Sequence, residues 1–215
     1  MERFPRRRSE ALADGVFAIV MTLLVLQLRL PVVSGPVTRT TLPFALLEMW
    51  PEYVSYLVSF LFLSLWWLLH TSMLRNLKDM DGPLVWLNLL FLMFVSLVPF
   101  STSLSARYWG EPITGAVYGL NLMIPMIVSL AFTSHAARTA GPVEVRVDPG
   151  LAKRERDAGI AVSVVLLAGV FLSLANAPLS FLIYGALGVF YVATIWRGRE
   201  GLSATPRGPE ASRSE

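Results

Sequence analysis

Few residues in this chain can do chemistry, and none of them cluster in the sequence. Of 215 residues two are histidine and none is cysteine, which removes thiolate catalysis, disulfides and Cys-ligated metals. No G-x-S-x-G elbow, H-E-x-x-H pair or Walker A loop occurs. What remains is a handful of polar groups in apolar surroundings. Asp14 is the one acid set well inside an apolar stretch, His70 closes the run Trp66-Trp67-Leu68-Leu69-His70, and Asn88 interrupts another apolar block. Inside a membrane such groups are costly, and each is a candidate for handling ions or protons. Each also has a plainer use. Asp14 suits a first-turn acid facing a helix dipole, His70 a hydrogen-bonded structural group, and Asn88 an interhelical tie.

The segment around Asp14 has a second property. Its stretch without a charged residue, Gly15 to Leu28, is only 14 residues long and already holds Gln27. At 1.5 Å per residue that is roughly 21 Å, so a helix crossing the bilayer must include Asp14 along with Gln27. Ile19, Leu23, Leu26 and Leu30 recur at i, i+4, i+7 and i+11, which places them on one narrow stripe with Thr22 beside it. This spacing suits a packing seam, a lipid-facing edge, or a ring of branched side chains that gates a pore by dewetting.

The elements that must position these residues are membrane helices. The chain is 54% apolar and 15% charged, with mean hydropathy +0.58, against about 25% charged for soluble domains. The apolar residues come in long blocks rather than the short alternation of a barrel. Six blocks are long enough to cross: about 12–30, 52–74, 83–105, 113–135, 157–176 and 178–196. The last two are separated by Asn176-Ala177-Pro178, a tight hairpin. Fifteen of the 18 Lys and Arg residues fall on the termini and the 75–82 and 138–156 loops, and only Arg29, Arg39 and Arg107 on the opposite side. The positive-inside rule then puts both termini in the cytoplasm. The basic start Arg6-Arg7-Arg8 resembles a signal peptide, but Asp14 at the start of the apolar run and the lack of an A-x-A site after it favour a retained span. Residues 1–197 read as one six-helix domain, and the Gly-, Pro- and Ser-rich stretch 198–215 as a disordered cytoplasmic tail.

Pro99 should kink the third span by freeing the carbonyl of Val95, with Ser96 or Ser101 near enough to help, and Pro125 should act likewise in the fourth. Gly115 and Gly119 form a G-x-x-x-G, a helix-packing motif of low specificity. Val117-Tyr118-Gly119 lacks the context of a T-V-G-Y-G potassium filter.

The stretch Arg8-Ser-Glu-Ala-Leu12-Ala13-Asp14-Gly15 resembles the R-x-x-x-F-S-D signature of the transmembrane protein 175 family. Leu12 and Ala13 stand where the family has Phe and Ser, while Arg8, Asp14 and Gly15 are kept. Thr22 to Leu26, Trp67-x-x-His70, Asn88 and Pro99-Phe100 also look like the family's first three helices. The resemblance implies an all-α integral membrane protein of six transmembrane helices. It further implies a potassium-selective channel that assembles as a homotetramer in the bilayer of the cytoplasmic membrane, with the first helix lining the pore. Ile19, Leu23 and Leu26 would form the hydrophobic bottleneck with Thr22 near the path, and Arg8, Asp14, Gly15, His70 and Asn88 would form the bracing network. No enzyme activity, cofactor, resident metal or nucleic-acid partner is implied. The competing readings are a proton-coupled carrier using Asp14 and His70, and a non-conducting membrane scaffold.

Overall fold

The computed structural model describes residues 4–31, 35, 37–75, 77–139 and 149–203; in the last stretch, side chains are described for 153, 154 and 156–193. Among the described residues, apart from one pair of two-residue strands, the regular structure is helical. The order is β1 (Phe4–Pro5), α1 (Arg6–Val25), α2 (Thr41–Glu48), α3 (Trp50–Arg75), β2 (Asp79–Met80), α4 (Gly82–Ser96), α5 (Val98–Arg107), α6 (Pro112–Thr139), α7 (Pro149–Ala175) and α8 (Ala177–Ser203). The all-α class is as expected. Among the described residues four segments are long and apolar enough to cross a membrane: Trp50–Arg75, Gly82–Arg107, Pro112–Thr139 and Arg156–Ala175. A shorter apolar run covers Ala177–Ala193 of α8. The 20-residue α1 has the length but carries its charges in its first half.

The first helix departs from the expected 12–30. It starts at Arg6, directly after Pro5, and ends at Val25. The stop has a local cause. Leu26, Gln27 and Leu28 bond back to Leu23, Leu24 and Val25, a tightening i→i+3 turn. Pro31 then disfavours helical backbone at Leu30. Leu26 is therefore the C-cap, and Leu30 falls off the stripe altogether.

Pro99 breaks the third span as expected. Helix α4 ends at Ser96, Leu97 is the joint, and α5 begins at Val98. The carbonyl of Val95 is taken by a backbone N–H at the cap, not by serine. Ser96 Oγ donates to Met93 O and Ser101 Oγ to Val98 O. Pro125 behaves differently, because α6 runs unbroken from Pro112 to Thr139 through it. Ser129 Oγ donates to the Pro125 carbonyl. The hairpin at Asn176 is present, with Asn176 Oδ1 accepting from Leu179 N at 3.1 Å as α8 starts.

Helix α6 is the hub, packed against α7, α4, α5 and α8. The core combines Phe62 and Trp66 of α3, Phe91 and Val95 of α4, Tyr118 and Leu122 of α6, Leu166 of α7 and Phe181 of α8. A polar seam runs through it: Ser59 Oγ lies 2.7 Å from both Thr102 Oγ1 and Tyr118 Oη, and Asn121 Nδ2 donates to Ser101 Oγ. Such buried hydroxyl bonds give the helices registry that apolar packing in lipid does not.

Helix α2 was not expected from the sequence. Thr38 and Thr41 nucleate it reciprocally, with Thr41 N donating to Thr38 Oγ1 and Thr38 N to Thr41 Oγ1. Pro43 sits in its first turn, where a missing N–H costs nothing.

At the other end of the molecule the chain start is tied down. Strand β1 pairs antiparallel with β2, Phe4 opposite Met80 and Pro5 opposite Asp79. Arg6 Nη1 donates to Arg75 O at 3.0 Å and to Leu77 O at 3.1 Å, satisfying carbonyls left open where α3 ends. The next residue after β2, Asp81, caps α4 by accepting from Leu84 N and meets His135 of α6 through its other oxygen. The expected 198–215 tail begins inside α8, whose backbone continues to Ser203; residues 204–215, and 140–148 of the expected 138–156 connector, lie outside the described residues.

Candidate functional site

Helix α1 has two unlike faces. Ser9, Ala13, Phe17, Val20 and Leu24 are buried, in steps of four, four, three and four residues. This face packs on α3, α4 and α5. On the other side Leu12, Ile19, Leu23 and Leu26 are uncovered, with exposures of 47, 60, 43 and 70%. The stripe is thus no core seam within one chain. Gly15 lies on the same side, and a Cβ there would meet nothing within 4 Å. Thr22 is exposed and ties its hydroxyl back to Ala18 O and Ile19 O, which leaves its oxygen lone pairs facing outward.

Helix α1 is held to its neighbours by polar and aromatic contacts. Trp67 Nε1 of α3 donates to Asp14 Oδ1 at 2.9 Å. One turn further along α3, His70 Nε2 lies 2.7 Å from Asn88 Oδ1 of α4. An amide oxygen only accepts, so this contact needs the imidazole to present Nε2–H. The His70 ring stacks on Phe91 with centroids 5.0 Å apart, and Phe17 of α1 packs against both rings. Asp14, His70 and Asn88 are therefore brought into one assembly linking α1, α3 and α4.

Arg8 is not part of that assembly. Its side chain is exposed and has no partner among the described residues. The cation that ties down the start of α1 is Arg6, which pairs with Glu10 at 3.4 Å as well as reaching the end of α3. Neither Arg6 nor the Trp67–Asp14 bond is among the bracing contacts expected from the sequence. The Trp67-x-x-His70 spacing does put both side chains on one face of α3, a usable signal for the second. Beside Asp14, an open apolar groove of about 480 Å³ runs between α1 and α3, lined by Phe17, Ala18, Met21, Ser64, Trp67 and Leu68.

Chemically the arrangement offers a rigidly held helix that turns branched apolar side chains and one hydroxyl away from its own bundle. Among the described residues no group of three or more His, Asp or Glu side chains is placed to hold a metal.

The family described as endosomal/lysosomal potassium channel TMEM175 matches residues 8–99. A potassium channel of Streptomyces collinus is 35% identical over 188 residues, covering 86% of this chain and 90% of its own. The chain belongs to the TMEM175 family. A second relative, a potassium channel of Chamaesiphon minutus, is 32% identical over 88% of this chain and 91% of its own length. The crystal structure of a lysosomal potassium-selective channel TMEM175 homolog from Chamaesiphon minutus superposes with a TM-score of 0.77 at 28% identity, covering 88% of this chain and 97% of that one. The TMEM175 match at 8–99 holds the whole α1 assembly, including Asp14, Trp67, His70 and Asn88. The two potassium-channel relatives cover 86% and 88% of this chain, so the likeness runs beyond residue 99 into α6 and α7.

Proposed function

We propose that this chain is a potassium channel of the cell membrane, conducting passively through a homotetrameric pore lined by α1. The carrying observation is the uncovered stripe Ile19, Leu23 and Leu26 on a helix whose opposite face is locked. One such helix cannot enclose a conduit, whereas four related by rotation can, with the stripe turned inward. The relatives named as potassium channels and the TM-score of 0.77 to a potassium-selective channel support the reading.

In this reading α1 and α8 cross the bilayer beside the four long apolar segments, giving six spans with both termini in the cytoplasm. The Lys and Arg distribution supports that orientation. The bottleneck selects by the cost of stripping water. A ring of Ile and Leu offers no oxygen to replace a hydration shell, and the larger potassium ion gives up its water more cheaply than sodium. Thr22 presents its oxygen beside that ring. Asp14, held by Trp67, and the His70–Asn88 pair fix the rotation of α1, so the stripe keeps its aim. Arg8 and Gly15 lie on the uncovered side, where neighbouring copies would meet them.

The test is flux through purified protein in liposomes, first with a potassium gradient and then with sodium. Potassium flux several-fold above sodium and above empty liposomes is expected, rising in proportion to the gradient and indifferent to a pH gradient. Saturating, proton-driven flux would replace the channel by a carrier using Asp14 and His70. A tetramer without flux would make it a scaffold.

A further inference from the structure

Resting on the membrane orientation proposed above, we propose that the collar where β1 meets β2 binds the phosphate of an anionic phospholipid headgroup. Three contacts gather this surface from separate parts of the chain. They are the β1–β2 pairing, the Arg6 bonds to Arg75 O and Leu77 O, and the His135–Asp81 contact at 2.9 Å. Together they bring the start of α1, the end of α3, the start of α4 and the end of α6 to one level.

Four cations outside the proposed pore side lie within three residues of those contacts: Arg7, Arg75, Lys78 and Arg138. All four side chains are exposed, and none has a partner among the described residues. The acids at the same level are mostly spoken for. Glu10 pairs with Arg6. Burial pushes the Asp81 carboxyl up, but His135 and the Leu84 N–H outweigh it and hold the group below its usual range, so it stays an occupied carboxylate. Asp79 alone is exposed without such a partner in its side chain. The surface is therefore a net cationic shelf on which Arg6 is engaged and the other cationic side chains are not.

Its position decides the occupant. A shelf at the inner ends of α1, α3 and α6 sits in the headgroup layer of the cytoplasmic leaflet, where basic residues are attracted to anionic lipid. Guanidinium forks match phosphate oxygens in pairs. A bound headgroup here rests on the same β1 and Arg6 that tie down α1, so it loads the brace of the pore helix directly.

The test uses the full chain in phosphatidylcholine bilayers carrying trace spin-labelled phosphatidylglycerol or spin-labelled phosphatidylcholine. The fraction of each label immobilised at the protein is read by electron spin resonance. Enrichment of the glycerol lipid by about threefold or more at low salt is expected, shrinking in high salt. The variant R7Q/K78Q/R138Q should lose most of that preference while keeping potassium flux in pure phosphatidylcholine; Lys78→Gln alone is the milder version should the triple variant fold poorly. Unchanged enrichment in both variants would overturn the site. Displacement of the label by inorganic phosphate, but not by chloride at equal ionic strength, would overturn the lipid as occupant. The label needs no conduction, so a failure here is separate from a failure of the channel reading, which the phosphatidylcholine flux reports.

Discussion

Replacing Ile19 by Asn should open the pathway to sodium. In the proposed tetramer four amide groups would line the ring in place of four sec-butyl groups, and an ion passing it could exchange part of its hydration shell for amide oxygens. The sodium penalty, which rests on dehydration against an apolar wall, falls more than the potassium penalty. A drop in the potassium-to-sodium permeability ratio by about tenfold, equivalent to about 1.4 kcal/mol, is the expected size. Ile19→Ala removes bulk without adding a dipole, so it should raise conductance and reduce selectivity by less. Ile127→Ala, on an exposed face of α6 away from α1, serves as the control and should change neither. The reversal potential under potassium on one side and sodium on the other reads the ratio directly. If it is the same in the Ile19→Asn channel and the parent, Ile19 is not at the bottleneck, and Leu23 and Leu26 inherit the question.

That prediction depends on features legible in the sequence to different degrees. The apolar blocks announced helices, and Pro99 and Asn176 marked real breaks because a missing N–H and a hairpin cap act within a few residues. The stripe Ile19, Leu23 and Leu26 was legible as a stripe, but a repeat of three and four residues says only that a face exists. That the face is uncovered follows from Ser9, Ala13, Phe17, Val20 and Leu24 taking the inward side, which depends on what α3, α4 and α5 present to them. The end of α1 was misplaced because apolar residues continue to Leu28 while the backbone has already tightened at Leu26. Helix α2 escaped notice since its start rests on a threonine turn and none of its residues is buried, so it carries no inward-facing period. The brace at the start of α1 was the least legible. Arg6 finds its partners 69 and 71 residues away, and one arginine in a run of three has no local mark to distinguish it from Arg7 and Arg8.

The strongest structural test concerns the notch at Gly119, and Gly119→Leu should abolish the stable fold of the bundle. The ring of Tyr184 from α8 lies between two glycines, Gly119 of α6 and Gly169 of α7, and a Cβ added at either would collide with it. At Gly119 the added atom would also come within 2.8 Å of Val170 Cγ2. One turn back, a Cβ at Gly115 would approach Ser173 Cβ to 2.8 Å, so the whole G-x-x-x-G face is in close contact with α7. Tyr184 cannot simply swing aside, because it is fully buried and its hydroxyl donates to Gly115 O at 3.3 Å. Overpacking of this kind costs about 1–3 kcal/mol, and stranding a buried hydroxyl adds about 1–3 kcal/mol. The sum is a large share of the roughly 5–15 kcal/mol that holds a typical domain together. Gly115 and Gly119 thus convert a motif of low specificity into a definite packing surface, since a tyrosine ring occupies the space the missing side chains leave. Thermal unfolding in detergent, followed by size-exclusion elution, gives the readout. Gly119→Leu should lower the midpoint sharply or yield aggregate, whereas Gly188→Ala, where the nearest atom stands 3.5 Å away, should leave it close to the parent. Gly119→Ala combined with Tyr184→Phe removes the colliding hydroxyl and should be more stable than Gly119→Ala alone. If the double variant gains nothing, the hydroxyl is not what fills the notch, and the packing of α8 on α6 must differ from that described.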